Sequence, residues 1–147
     1  MPAESRFMIK LSFLYLVVGF VIGTMLIISK AYGVWGFAWQ LLPVHIEMML
    51  TGWIIQLTLG TAYWIFPRFL EGSPRGNALY VKIVAGLLNG GIMLICLHHI
   101  VEISEYDTVI GRLLEVMAVA VFIGLHWKRV VSFRKRFAGE LVQAERL

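Results

Sequence analysis

The chain has 147 residues, of which 59% are hydrophobic and only 15% are charged, and its mean hydropathy is +0.80. A soluble domain of this size needs a far more polar surface, so the composition excludes an ordinary soluble globular protein. The single cysteine, Cys96, excludes a disulfide framework and a thiolate metal cluster. No Cys-x-x-Cys-His motif occurs, which excludes covalent attachment of a c-type haem. The net charge of +4 does not indicate nucleic-acid binding, because the charges flank apolar runs.

Four long apolar runs predict four transmembrane helices, since a helix needs about 20 apolar residues to cross the hydrocarbon core. In chain order they are Leu11–Ser29, Leu41–Phe66, Ala78–Val101 and Val109–Trp127. The first run is longer than the apolar region of a signal peptide, and no small-x-small cleavage site closes it, so we expect it to be retained. Pro43 suits the first turn of the second helix, where its missing N–H costs nothing. The sequence thus predicts an all-α, four-helix transmembrane bundle over residues 1–128, followed by a basic amphipathic tail over residues 129–147.

Basic residues predict the orientation of the bundle, because they concentrate on the cytoplasmic side of membrane proteins. Most of them lie in the N-terminus, the second loop and the tail: Arg6, Lys10, Arg68, Arg75, Lys82, Lys128, Arg129, Arg134, Lys135, Arg136 and Arg146. The first loop carries only Lys30, and the third loop has three acidic residues against one arginine: Glu102, Glu105, Asp107 and Arg112. We therefore expect a multi-pass protein of a bacterial or archaeal inner membrane, with both termini cytoplasmic and the tail along the anionic inner leaflet.

Histidines inside membrane helices are rare and usually functional. This chain has four, namely His45, His98, His99 and His126. His45 lies near the predicted outer end of the second helix, and His98 and His99 lie near the outer end of the antiparallel third helix. These three side chains are therefore expected at the same depth, where two imidazoles could hold a six-coordinate b-type haem within the bundle. His126 lies beside Trp127 at the expected inner interface and needs no special role.

Two glycines share helix faces with these histidines. Gly52 lies seven residues after His45, and Gly91 lies seven residues before His98, which is about two helical turns in each case. A porphyrin between the two helices would extend over these glycines, where a larger side chain would block it. The alternative is that the glycines of the second and third helices only allow close helix packing. The spacing favours His98 over His99 as the second ligand, because His99 would point about 100° away.

Two acidic residues, Glu47 and Glu115, lie in the predicted helices at different depths. Glu47 is two residues from His45, so it points to a different side of the second helix, near the outer interface. Glu115 lies deeper in the fourth helix, and Arg112 precedes it by three residues, a spacing that favours an ion pair. A proton-conducting role for Glu115 is the alternative to this structural pairing.

The second helix also resembles a known family. Its two relevant segments read His45-Ile46-Glu47-Met48-Met49-Leu50-Thr51-Gly52-Trp53 and Gly60-Thr61-Ala62-Tyr63-Trp64-Ile65-Phe66-Pro67-Arg68. Residues 41–68 resemble helix II of haem-copper oxidase subunit I, most closely the cbb-type branch and the related haem-copper proteins of the nitric-oxide response. In that family a histidine near the outer start of helix II binds the low-spin haem, and His45 matches it, with Gly52 also in place. The resemblance implies a low-spin haem module without the gas-reducing centre, because the chain lacks the further helices and copper-binding histidines of a complete subunit I.

These observations predict a membrane-embedded b-type cytochrome with one haem b bound by His45 and His98. It would carry electrons between a quinol or another redox protein and an acceptor on the outer side, rather than act as a self-sufficient oxidase or nitric oxide reductase. Two alternatives stay open: a non-catalytic membrane subunit of a larger respiratory complex, and a haem-based gas-binding protein. Glycines on more than one helix face also predict a homo-oligomer or a place in a larger membrane complex, in contact with membrane lipid.

The orientation is testable with reporter fusions. Fusions after Arg136 are expected to report a cytoplasmic position and fusions near Tyr106 a periplasmic one, because the basic residues flank the cytoplasmic ends of the helices. Alkaline phosphatase and green fluorescent protein, which are active on opposite sides of the membrane, give complementary readings. The reverse pattern would contradict the expected orientation.

Overall fold

The chain forms a bundle of helices with short connections. The computed structural model describes residues 1–67, 77–101 and 106–144, with side chains up to Val131 in the last range. The elements are α1 (Ala3–Tyr32), a 3₁₀ helix (Gly36–Leu41), α2 (Leu42–Glu47), a π-helical segment (Met48–Ile55), α3 (Gln56–Ile65), α4 (Ala78–Val101) and α5 (Asp107–Ala144). The described residues contain no strand, so the prediction of an all-α protein is confirmed.

Four segments are long and apolar enough to cross a membrane: Ala3–Tyr32, Gly36–Ile65, Ala78–Val101 and Asp107–Val131. The four predicted transmembrane helices are therefore confirmed, and the chain is a multi-pass membrane protein whose outer side chains contact lipid. The segment Gly36–Ile65, from the 3₁₀ helix to the end of α3, is called the second span below. α5 continues without a break past Trp127 to Ala144, so the backbone of the expected tail is an extension of the fourth helix up to that residue.

Several charged residues from which the orientation is predicted lie outside the described residues. These are Arg68, Arg75, Glu102, Glu105 and Arg146. The side chains of Arg134, Lys135 and Arg136 are likewise not described. The orientation of the termini therefore stays a prediction.

The turn between α1 and the second span is built from glycine and local hydrogen bonds. Gly33 ends α1 at φ 65°, a left-handed conformation that glycine adopts without strain, and its N–H donates to the Ser29 carbonyl at 3.0 Å. Trp35 also has a positive φ of 53°, and its carbonyl accepts a hydrogen bond from the Ser29 hydroxyl at 3.2 Å. The 3₁₀ helix follows, and Pro43 lies in the first turn of α2, as predicted.

The helices form two close antiparallel pairs, α1 with the second span and α4 with α5. The first half of the second span also contacts α4, which joins the pairs. The N-terminal end of the bundle is defined here as the end where α1 begins and α3 ends. There the Ser5 hydroxyl donates to the Gly60 carbonyl. The far end contains the 3₁₀ helix, α2 and the last residues of α4.

Glycines let α1 and the second span interlock. Each helix has glycines at which the other inserts a side chain, so that a Cβ atom at the glycine would lie at or below 3.0 Å from that side chain. Gly19 receives Met49, Gly23 receives His45, Gly52 receives Tyr15 and Gly60 receives Met8. Helix association in lipid depends on such close packing, because lipid tails are as apolar as the helices themselves.

The pair α4 and α5 touches through backbone as well as side chains. A Cβ atom at Gly91 would lie 2.6 Å from the carbonyl oxygen of Gly111, and one at Gly111 would lie 2.5 Å from the Ile95 side chain. Two glycines therefore face each other where these helices come closest.

We expect Gly52→Ala to destabilise the bundle by about 1–3 kcal/mol, the usual cost of overpacking. The added methyl group would lie 2.6 Å from Cγ of Tyr15, whose ring is held in place by a hydrogen bond at its other end. The matched control is Gly124→Ala, since nothing lies within 4 Å of that position, and the change there gains up to about 1 kcal/mol of helix propensity. Thermal unfolding in mild detergent compares the variants, and equal midpoints would contradict the packing argument.

Candidate functional site

His45 lies in α2 and turns towards α1. Its Nδ1 is 2.8 Å from the Gly19 carbonyl oxygen, and its ring lies against Gly23. A carbonyl oxygen can only accept a hydrogen bond, so Nδ1 carries the hydrogen, and in the neutral ring the lone pair is then on Nε2. Metal-binding histidines commonly have this arrangement, in which a backbone carbonyl fixes the tautomer and the orientation of the ring.

A cavity of about 600 Å³ adjoins His45 between α1 and the second span. Its walls are mostly apolar and aromatic, with Phe20, Ile27, Trp39 and Met49 among them. Lys30 is the one charged residue among the described residues that line it. Ligand sites typically have volumes of about 300–1,000 Å³, apolar walls and a few polar groups. The cavity thus suits a large apolar ligand that carries an acidic substituent near Lys30.

His98 and His99 lie beside the start of α2, in a second cavity of about 420 Å³ that Trp39, Gln40 and Pro43 also line. The two rings meet edge to face, with centroids 5.2 Å apart. Nδ1 of His98 is buried without a hydrogen-bond partner among the described residues. The end of α4 and the start of α2 are thus level with each other, as the sequence predicts.

The structure does not place His45 and His98 around one slot. Neither His98 nor His99 is among the described residues that line the His45 cavity. Trp39 lines both cavities, so it stands where they adjoin. A bis-histidine site therefore stays a prediction that requires these two cavities to join.

The space predicted for a porphyrin over Gly52 and Gly91 is filled. Tyr15 of α1 occupies the open side of Gly52, and Gly111 and Glu115 of α5 occupy that of Gly91. The prediction that a porphyrin lies over these two glycines, between the second and third helices, is therefore corrected. Gly52 and His45 do share a face of the second span, as the seven-residue spacing predicts, but that face contacts α1. Helical periodicity tells which residues share a face, and it does not tell which neighbouring helix that face meets.

A polar contact crosses the middle of the bundle. The Tyr15 hydroxyl donates to Oδ1 of Asn89 at 2.8 Å, and Nδ2 of Asn89 donates to the Ala85 carbonyl at 2.7 Å. The pair links α1 to α4 over the surface of Gly52. Sequence reasoning missed it, although Asn89 stands out as a strongly polar residue within the apolar run of α4.

Arg112 joins two carboxylates near the far end of the bundle. Its Nη1 lies 2.8 Å from Oε2 of Glu115, and its Nη2 lies 2.6 Å from Oε2 of Glu47. The predicted pairing of Arg112 with Glu115 is confirmed. Glu47 points to a different side of the second span from His45, as predicted, and its side chain is buried where it faces α5. Its Oε1, like that of Glu115, has no partner among the described residues. The ion cluster therefore ties the second span to α5.

His126 lies at the N-terminal end, the end predicted to be cytoplasmic. The side chain is buried against Phe122, with ring centroids 4.2 Å apart, and Nδ1 lies 2.8 Å from the Phe122 carbonyl oxygen. One turn later, the buried Arg129 donates to the carbonyl oxygens of Phe66 at 2.7 Å and Pro67 at 2.8 Å. These two carbonyls directly follow the C-terminus of α3, where the helix dipole favours a cation. Both residues therefore have structural roles, which explains them without a metal.

No protein family, curated protein or solved structure matches this chain. The resemblance of residues 41–68 to helix II of the haem-copper oxidases stays a prediction from the residues quoted above.

We expect Arg112→Gln to destabilise the protein by roughly 1–3 kcal/mol or more, because it leaves two buried carboxylates without their cation. Adding Glu47→Gln and Glu115→Gln to the same chain should restore much of the loss, since the buried charges are then gone. Arg6→Gln, at an exposed arginine of α1, is the control and should have little effect. The measurement is thermal unfolding in detergent. Failure of the triple variant to recover would contradict the view that the loss comes from buried charges left without their cation.

Proposed function

We propose that this chain is a membrane-embedded b-type cytochrome that carries electrons, with His45 as an axial ligand of haem b. The observation that carries the proposal is the hydrogen bond from Nδ1 of His45 to the Gly19 carbonyl beside an apolar cavity. It selects the tautomer with a free Nε2, which is the form that binds iron. The resemblance of the second span to helix II of the haem-copper oxidases, where the matching histidine binds haem, supports the same assignment.

The residues around His45 fit a haem in composition. Phe20 and Ile27 provide apolar walls that exclude water, and exclusion of water is one of the factors that tune a haem potential. Lys30, at the end of α1, supplies a positive charge for a propionate. A bound haem supplies the one-electron chemistry, while the chain holds, orients and insulates it.

The identity of the second axial ligand separates electron transfer from gas binding. His98, with His99 as the runner-up, is the ligand predicted from the sequence, and a site with two imidazoles leaves no position for a gas. The separation of the His98 cavity from the His45 cavity favours the second candidate, a haem with one open position that binds a gas. A site with two histidines requires Trp39, which lines both cavities, to move so that the cavities join, whereas a site with His45 alone does not.

The wider setting is part of the proposal. We place the chain in a bacterial or archaeal cytoplasmic membrane, with both termini cytoplasmic and a quinol or another redox protein as electron donor. Gly90 supports a homo-oligomer or a larger membrane complex, because nothing lies within 4 Å of a Cβ atom at that position. Small residues on an open helix face are typical of helix–helix contacts in membranes.

The test is an absorption spectrum of the purified protein after expression with sufficient haem. We expect a b-type spectrum in the wild type and its loss in His45→Ala, because the variant lacks the proposed ligand. His98→Ala should also lose the six-coordinate form, or leave a five-coordinate species that binds carbon monoxide. His99→Ala should keep the six-coordinate spectrum.

His126→Phe is the matched control, because it removes a buried histidine from an aromatic cluster far from the cavity and should leave the spectrum unchanged. Carbon monoxide binding by the reduced wild type would favour the gas-binding function. An unchanged spectrum in His45→Ala, or a wild type without a Soret band, would overturn the proposal.

A further inference from the structure

A separate cavity of about 460 Å³ lies at the N-terminal end of the bundle, between the starts of α1 and α4. Ala3, Glu4 and Phe7 line it from α1, and Lys82, Gly86 and Asn89 are among the residues that line it from α4. Phe7, Lys82 and Gly86 are exposed, so the cavity opens at the side of the bundle, where a ligand dissolved in the bilayer can enter.

Small residues create this space. Nothing lies within 4 Å of a Cβ atom built at Gly86, and Ala3 and Ala85 complete the small-residue wall. A larger side chain at Gly86 would project from this wall. Gly86 is therefore the position of α4 at which a larger side chain can be tested.

The polar groups of the cavity lie at two depths. Glu4 and Lys82 lie close to the N-terminal end, whereas Asn89 lies seven residues further along α4, about 10 Å deeper. Asn89 already accepts a hydrogen bond from Tyr15 and donates one to Ala85, which leaves one N–H and one lone pair of its amide for a ligand.

This arrangement discriminates between membrane-soluble ligands. The acyl chain of a phospholipid is apolar along its length, so it gains nothing from an amide at the deep end. A ring that carries two oxygens on opposite sides can form a hydrogen bond with Asn89 at one end and with Lys82 or Glu4 at the other. Phe7 on the rim offers an aromatic face for such a ring.

We propose that the cavity between α1 and α4 binds the head group of an isoprenoid quinone or quinol, with Asn89 as the deep hydrogen-bonding partner. Binding does not require the haem. The use of the bound quinol as an electron donor rests on the proposed function. In that case the cavity is the site at which the donor would bind.

Direct binding tests the site. The full chain is placed in nanodiscs of quinone-free neutral phospholipid, and decylubiquinone is titrated in by calorimetry. We expect saturable binding of one molecule per chain. Gly86→Leu fills the cavity and Asn89→Leu removes the deep amide, so each should weaken binding by about tenfold or more.

Two variants control for indirect effects. Gly124→Leu changes another helix glycine with open space around it, but on α5 and outside the cavity, and should bind like the wild type. Tyr15→Phe breaks the hydrogen bond between α1 and α4 that Asn89→Leu also breaks, but it keeps the amide, so it should bind more tightly than Asn89→Leu. Equal affinities for Gly86→Leu and Gly124→Leu would overturn the proposal, as would equal affinities for Tyr15→Phe and Asn89→Leu.

Two further measurements distinguish a quinone site from a lipid head-group site and from the haem site. If anionic phospholipid in the nanodisc abolishes quinone binding and Lys82→Gln restores it, the cavity is a lipid head-group site and the proposal is wrong. Retention of binding in His45→Ala, whatever its absorption spectrum, supports a quinone site independent of the haem. Loss of binding in that variant would show that the quinone occupies the His45 cavity instead.

Discussion

The close contact between α1 and the second span is the constraint on which the other features depend. In lipid no hydrophobic force brings two apolar helices together, so the pair relies on van der Waals contact between surfaces that interlock. Glycines on each helix accept a side chain from the other, and two of those side chains have further roles. His45 meets the Gly19 carbonyl through this contact, and Tyr15 crosses Gly52 to reach Asn89. The packing and the candidate site are therefore one arrangement.

Polar contacts add specificity at three levels of the bundle. Arg112 joins Glu47 to Glu115 at the far end, Tyr15 joins Asn89 in the middle, and Arg129 donates to the carbonyls that follow α3 at the N-terminal end. Each contact joins helices from the two close pairs. An unpaired polar group is costly inside a membrane, so each contact disfavours sliding or rotation of one pair against the other. The glycine contacts hold each pair together, and these polar contacts set how the pairs meet.

The cavities at His45 and at Asn89 both lie beside α1 and differ in chemistry. The cavity at His45 has apolar walls, a histidine with a free Nε2 and one lysine, which suits a metal-bearing macrocycle with acidic substituents. The cavity at Asn89 has an amide at its deep end and a lysine and a glutamate at its mouth, which suits a smaller ring with polar atoms at both ends. Both are lined by exposed residues of the membrane-spanning helices, so a hydrophobic ligand would reach either of them from the membrane.

The sequence by itself determined the number of helices, their class and their approximate bounds, because apolar length and the cost of unpaired backbone in lipid leave few alternatives. It also determined that His45 and Gly52 share a face, and that Arg112 pairs with Glu115, because both follow from helical periodicity. Only the tertiary structure decided that the face with His45 meets α1 rather than α4, that Glu47 is buried against Arg112, and that His126 is enclosed by aromatic rings. The physical reason is that periodicity defines the faces of each helix separately, whereas the choice of neighbour depends on how the surfaces of all four helices fit together.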